Sequence, residues 1–284
     1  MIIGIIIISI LIVCLVVVLW AGYRPLFCQQ NAMRLCFKEP VIGQRALSQI
    51  RDKFGIKKYK IISFSLYGDK DKYILGAYEN AHLARLLYPG WICRFYYGPT
   101  VPKNVIAELD KLPNVELRAM NKSSTKKTNA SGMMWRFAPA FVEPDVDVMI
   151  VRDSDSRLMK REVEAVNEWL KSDKDFHIMR DHPHHQEKIM GGMWGCRNGA
   201  LLSFKKAYLE YLHNGRYGDD QNFLAKQIYP KIKKNAMIHV GNNGKIYEED
   251  PEVHPFPSML KSPHQFVGAV VSTDFRYWKK KDNV

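Results

Sequence analysis

The sequence lacks several patterns on which common activities depend. Its five cysteines form no C-x-x-C pair, which removes the spacing of a structural zinc site and of thioredoxin-type redox chemistry. It contains neither G-x-x-x-x-G-K-[ST] nor G-x-G-x-x-G, so ATP hydrolysis on a P-loop and hydride transfer on a dinucleotide fold are unsupported. No internal repeat occurs, and no basic stretch is interleaved with aromatics, so nucleic acid is not expected as a partner. Acidic residues are the minority, 29 against 42 basic, and the net charge of +13 asks for an anionic partner. The basic residues are scattered in small clusters, which read first as solvated faces.

What is present begins with "IIGIIIISILIVCLVVVLW", an uncharged run long enough at ~1.5 Å per residue to approach the ~30 Å core of a bilayer. A cleaved leader would want a charged n-region, a shorter apolar stretch and small residues at its end, none of which "LWAGY" and its surroundings provide. The expected organisation is therefore a transmembrane signal-anchor over 1–22, a stem over 23–57 and one domain over 58–284. Arg24, Arg34 and Lys38 follow the span and would leave the body in the cytoplasm. Two acceptor sequons, Asn121-Lys122-Ser123 and Asn129-Ala130-Ser131, argue instead for a lumenal body in the ER or Golgi, the placement adopted as the expectation.

Strand and helix patterns alternate through the first half of that domain. Strands are predicted at 58–68, 91–98, 115–120 and "VDVMIV", and helices at 72–90, 101–113, "GMMWRFAPAF" and 158–170. The second half is less regular, with strands predicted at 176–183 and 236–241 and helices at 200–212 and 220–230. Such alternation predicts an α/β sheet with helices on both faces, its ligands bound outside the carboxyl ends of the strands.

"RDSDSR" falls at one of those ends. Past the strand, Asp153 and Asp155 can approach one hard cation, Mg²⁺ or Mn²⁺, that takes oxygen ligands and keeps positions for phosphate or water. The plainer account is equally open: Asp155 or Ser156 caps the next helix and Asp153 pairs with Arg152 or Arg157. In "RDHPHH", Asp181 is assigned to an acceptor- or sugar-binding wall, contacting sugar hydroxyls or assisting the reaction as a catalytic residue, with an ordinary polar turn around Pro183 the alternative. In "GGMWG", Gly191 and Gly192 would let backbone approach a ligand and Trp194 would stack on a sugar, against a turn with a core tryptophan.

Taken in order, "SGMMWRFAPAF", "DVDVMIVRDSDSR", "YGDDQNFLAKQIYP" and "MIHVG" resemble segments of nucleotide-sugar-dependent glycosyltransferases of the GT-A fold that carry an Asp-x-Asp motif, the retaining-type families above all. The resemblance spans about 60 to 270, and departs from those families where "HVGNNGKIYEED" stands in place of an "HxxGxxKPW" ending. It implies a GT-A-like, Rossmann-type mixed sheet and a metal-dependent, hexosyltransferase-like enzyme moving sugar from a nucleotide donor to a glycan, glycoprotein or glycolipid hydroxyl. It further implies that Asp153 and Asp155 hold Mn²⁺ or Mg²⁺ with His239 as third ligand, and that Asp220 and Gln221 face the reacting sugar. Tyr67 would stack on the base, and Arg136 or Arg152 would balance the diphosphate. Two other functions stay open: a metal-dependent phosphohydrolase or nuclease, and a membrane-tethered carbohydrate-binding protein without turnover.

Overall fold

A computed structural model describes residues 59–120, 129–143, 146–197, 199–214, 218–241, 243–260, 262 and 264–271. The expected anchor and stem, and the first sequon at Asn121, lie outside them. Among the described residues no helix is long and apolar enough to cross a membrane.

The first half follows the sequence pattern closely. Strand β1 (Tyr59–Leu66) leads through helix α1 (Asp71–Leu87) to β2 (Ile92–Tyr97), and through α2 (Lys103–Asp110) to β3 (Val115–Ala119). After the 3₁₀ segment Asn129–Phe137 and the short α3 (Ala138–Phe141) come β4 (Val146–Val151) and α4 (Lys160–Lys171). Then follow β5 (Phe176–Arg180), β6 (Trp194–Arg197), α5 (Lys205–Asn214), α6 (Asp219–Phe223), α7 (Tyr229–Ile232), β7 (Ala236–Val240) and β8 (Val253–Pro255).

The eight strands form one mixed sheet in the order β3-β2-β1-β4-β6-β5-β7-β8. Only β6 opposes its neighbours; every other pairing is parallel. The carboxyl ends of seven strands therefore share one edge, and at that edge β6 begins. Between β1 and β4 the chain reverses the direction in which it adds strands, the place where α/β sheets leave a crevice for ligands.

Period-two alternation sorts side chains to two faces. On β1, Ile62, Phe64 and Leu66 are fully buried in a cluster with Ala77, Ala81 and Ala84 of α1, each large one contributing roughly 1.5–3 kcal/mol. The opposite face of β1 carries Ser63 and Ser65, which are also buried. Their hydroxyls bind backbone of the 3₁₀ segment: Ser63 Oγ donates to Arg136 O at 2.6 Å and Arg136 N–H donates to Ser65 Oγ at 3.0 Å. On α4, buried Glu162, Ala165, Val166 and Trp169 recur at helical spacing and turn one stripe to the sheet.

Two sequence expectations need correction, and two strands lie where none is expected. "GMMWRFAPAF" is a 3₁₀ segment followed by one α turn, not an α-helix, because it is tied down by the β1 serines and interrupted by Pro139, which has no N–H. The helix expected over 220–230 is broken by a wide π turn at Leu224–Ile228, where the Tyr229 N–H reaches back to Leu224 O just before Pro230. Strands β6 and β8 had no signal: β6 is four residues long, contains Gly195 and follows two more glycines, and β8 is three residues long.

Candidate functional site

Asp153 lies two residues beyond β4, and alternation decides which way it and its neighbour turn. Arg152 goes to the α4 face, where its Nε meets Glu162 Oε2 at 3.1 Å beside the Tyr88 hydroxyl, itself 3.2 Å from Glu162 Oε1. Buried there, Arg152 is a partner of the core carboxylate and does not face a diphosphate at the sheet edge. Asp153 turns to the opposite face and meets the Arg136 guanidinium.

Arg136 is the hub of a small charged cluster. Besides Asp153 it contacts Asp220 Oδ2 at 3.3 Å from its Nη2, while its Nε and the second oxygen of Asp220 are buried with no partner among the described residues. Asp220 arrives on the first turn of α6, which Gly218 opens at φ 85°, a left-handed conformation suited to glycine. Gln221 follows, and its Oε1 accepts the Gly191 N–H at 3.1 Å.

The strand that the sequence did not reveal completes the arrangement. The antiparallel register Val151↔Trp194, carried two residues on, sets Gly192 opposite Asp153. A methyl group on Gly192 would overlap the Asp153 carboxylate, and one on Gly191 would lie 2.7 Å from Arg136 Nη2 and 3.0 Å from Asp220 Oδ2. The paired glycines thus bring backbone against the charged side chains themselves. Trp194, two residues further, is fully buried edge-to-face on Phe137 and offers no face to a sugar; it is the core tryptophan of the plainer reading.

Tyr67, just past β1, stands across the crevice, edge-on to Trp135 at 6.0 Å. Glycines make room for both rings: a Cβ on Gly132 would sit 2.7 Å from Tyr67, and one on Gly98 2.9 Å from Trp135. Burial raises the Tyr67 hydroxyl to about 12; Arg136 opposes the shift while Asp153 and Asp220 reinforce it, so the phenol stays protonated.

Asp155 carries a different counter-ion, the Lys72 ammonium at 2.8 Å from Oδ2, in the first turn of α1. That hydrogen bond raises the Lys72 pKa. The sequence reading missed Lys72 and Trp135. A lysine opening a helix after the first strand was the only signal for Lys72, and nothing distinguished Trp135 from a core aromatic.

Two predicted residues stand apart from the cluster. Asp181 is completely buried: its carboxylate takes two 2.8 Å bonds from Arg161 and the Val267 N–H at 2.9 Å, so it holds the interior together and presents nothing to a sugar. His239 lies on β7, three strands and roughly 14 Å from β4, and on the α4 face. Its ring nitrogens are engaged by His177 at 2.8 Å and Glu168 at 3.4 Å, and burial lowers the pKa of both imidazoles. Among the described residues no three His, Cys, Asp or Glu side chains are grouped to hold a metal. Asp153 and Asp155 supply oxygen donors of the kind a hard cation takes, while His239, on a distant strand of the other face, is not grouped with them.

No family model matches the sequence, and no curated protein matches it. Among solved structures it is similar to a glycosyltransferase involved in glycosylation of the major capsid of PBCV-1, at 14% identity over 64% of this chain and 81% of that one, TM-score 0.41. It is also similar to mannosyl-3-phosphoglycerate synthase from Rubrobacter xylanophilus, at 10% identity over 74% and 73%, TM-score 0.41. A putative glucose-1-phosphate thymidylyltransferase from Bacillus anthracis matches at 13% identity over 64% and 86%, TM-score 0.40. Likenesses at this level assign the chain neither a family nor an activity.

Proposed function

We propose that the cluster at the β1–β4 crevice is the donor site of a metal-dependent glycosyltransferase that moves a sugar from a nucleotide donor to a hydroxyl acceptor. The observation that carries this reading is the state of Asp153. It is a strand-end carboxylate 45% open to solvent, given room by Gly192, and backed by a buried guanidinium shared with Asp220.

Each part of the arrangement has work to do in such a reaction. Asp153 and Asp155 would hold Mn²⁺ or Mg²⁺, which supplies Lewis-acid stabilisation of the departing diphosphate. Tyr67 and Trp135 offer aromatic surface for a base, and the protonated Tyr67 hydroxyl can donate without adding negative charge beside phosphates. Gln221, held by the Gly191 N–H, would form the wall on which the transferred sugar rests, with Asp220 buried behind it against Arg136. Asp181, locked to Arg161, would not serve as a base on the acceptor. Retention of configuration, in which the leaving phosphate can take the acceptor proton, is adopted from the resemblance of "YGDDQNFLAKQIYP" to retaining families. The apolar run at 1–22 would tether the enzyme to a membrane with the domain in the ER or Golgi lumen.

The test is a screen of nucleotide sugars for release of free nucleotide by the full chain, with Mn²⁺ or with chelator, alongside Asp153→Ala. Metal-dependent release from one donor, lost in the variant, is expected. Binding of donors by wild type and variant alike, with no turnover, would overturn the reading in favour of a carbohydrate-binding protein.

A further inference from the structure

The Asp-x-Asp carboxylates are each neutralised by a cation of the chain itself, and the two cations are built differently. Arg136 is fixed. Its backbone is pinned to Ser63 and Ser65 at 2.6 and 3.0 Å, its side chain is buried, and it answers to two carboxylates at once. Lys72 has one ionic partner among the described residues and is partly open to solvent: its side chain is 37% exposed, with Nζ 2.8 Å from Asp155 and 4.4 Å from the centre of the Tyr73 ring. Its four-carbon stem can swing the ammonium while α1 stays in place.

Asp155 cannot follow. Its carboxylate is 13% exposed, and its carbonyl accepts the Val271 N–H at 2.9 Å where the chain pairs Ser156 with Val270. If Lys72 left, a nearly buried carboxylate would stand unpaired, a destabilised state unless another cation replaces it. The formal charges sharpen the point. Asp153, Asp155 and Asp220 against Arg136 and Lys72 leave one net negative charge, which attracts a divalent cation and repels a diphosphate; once the cation is in, the sign reverses. The unpartnered Arg136 Nε and Asp220 oxygen show a cluster whose hydrogen bonding is incomplete as it stands.

We propose that Lys72 is an exchangeable counter-ion: it neutralises Asp155 in the free protein and yields it to a divalent cation as its ammonium passes to the diphosphate of an arriving nucleotide. This rests on the donor-site reading above and extends it to a residue outside the Asp-x-Asp pair. Arg136 remains where it is throughout. Cation and diphosphate then bind with a coupling that runs through Lys72 and is the same in either order.

The experiment is a titration of the full chain with Mn²⁺, followed by the paramagnetic resonance of the free ion, without nucleotide and with UDP or GDP. Wild type should bind Mn²⁺ about tenfold or more tightly in the presence of one of the diphosphates. Lys72→Met should bind Mn²⁺ alone about fivefold more tightly than wild type, because its competitor is gone, and lose most of the nucleotide-linked gain. Lys72→Gln, which keeps a hydrogen-bond donor for Asp155, should behave likewise and guards against a folding defect in the first variant. If either folded variant binds Mn²⁺ alone no more tightly than wild type, or keeps the full gain, the exchange is wrong while the donor site stands. If wild type binds neither diphosphate with or without Mn²⁺, the donor-site reading falls and the exchange with it.

Discussion

Asp153 and Asp181 occupy nearly the same place in the fold. Each follows a strand at the carboxyl edge, each faces an arginine, and each lies against a glycine, Gly192 or Gly241, where a methyl group would overlap the carboxylate. They differ in how completely they are satisfied. Asp181 takes the Nε and Nη2 donors of Arg161 and a backbone N–H, and its side chain has no exposure, whereas Asp153 shares one guanidinium with Asp220 and is half open. A strand-end aspartate is therefore not in itself a functional signal; the number of donors already committed to it, and its access to solvent, separate a structural carboxylate from an available one.

Breaking the two carboxylates should produce opposite phenotypes. Asp181→Ala leaves Arg161 buried without its partner and should cost about 3–5 kcal/mol in urea unfolding. A loss under about 1 kcal/mol would mean that Arg161 finds other acceptors. Asp153→Ala, by contrast, leaves Arg136 with Asp220 and should change stability by about 1 kcal/mol or less, while lowering metal-dependent nucleotide release about 100-fold or more. Equal damage to folding in both variants would erase the distinction between the two sites.

Gly192→Ala tests the room made for Asp153. The added methyl must push the carboxylate or the start of β6, at about 1–3 kcal/mol of stability, and should weaken Mn²⁺ binding more than Gly90→Ala, whose Cβ meets nothing and whose cost is the strain of alanine at φ 83° ahead of β2, away from the site. The pH dependence of stability sharpens the contrast from the other side. His185, whose Nδ1 accepts the Asp181 N–H at 3.0 Å, is lowered to about 4 by burial and then by its histidine neighbours. Its unfolded pKa is about 6.5, so the unfolded chain binds the proton first and stability falls as pH drops from about 6.5 towards 4. Between pH 6.5 and 5 this one group should remove about 1.5 kcal/mol, visible as a shallower slope in His185→Gln; an unchanged slope would place the titration elsewhere. The smallest effect belongs to Trp194→Phe. It deletes a buried N–H that has no partner among the described residues and leaves a small void, two terms that should nearly cancel within about 1 kcal/mol.

Much of the site was legible before any coordinates. "VDVMIV" marked a buried strand and the two aspartates after it marked its exit, while Gly191, Gly192, Asp220, Gln221, Arg136 and Tyr67 were singled out in four separate stretches. The structure brings all of these to one edge. Arg152, Trp194, Asp181 and His239 were singled out on the same grounds and go elsewhere. For Arg152 and His239 the reason is the pleat: each sits at a strand position whose side chain faces α4, where Glu162 and Glu168 await it. For Asp181 and Trp194 the reason is the partners supplied by distant segments, Arg161 and Val267 for one and Phe137 for the other.

The sequence by itself determined the alternation of strands and helices, the positions of most strand ends, and the residue types present at them, because these follow from hydrophobic period and turn chemistry within a few residues. Only the tertiary structure decided that β6 inserts antiparallel between β4 and β5, and with it that Gly192 faces Asp153, that Arg136 joins Asp153 to Asp220, and that Lys72 guards Asp155. Those contacts link residues 17 to 84 positions apart, where no local propensity reaches and pairing is set by how the sheet closes.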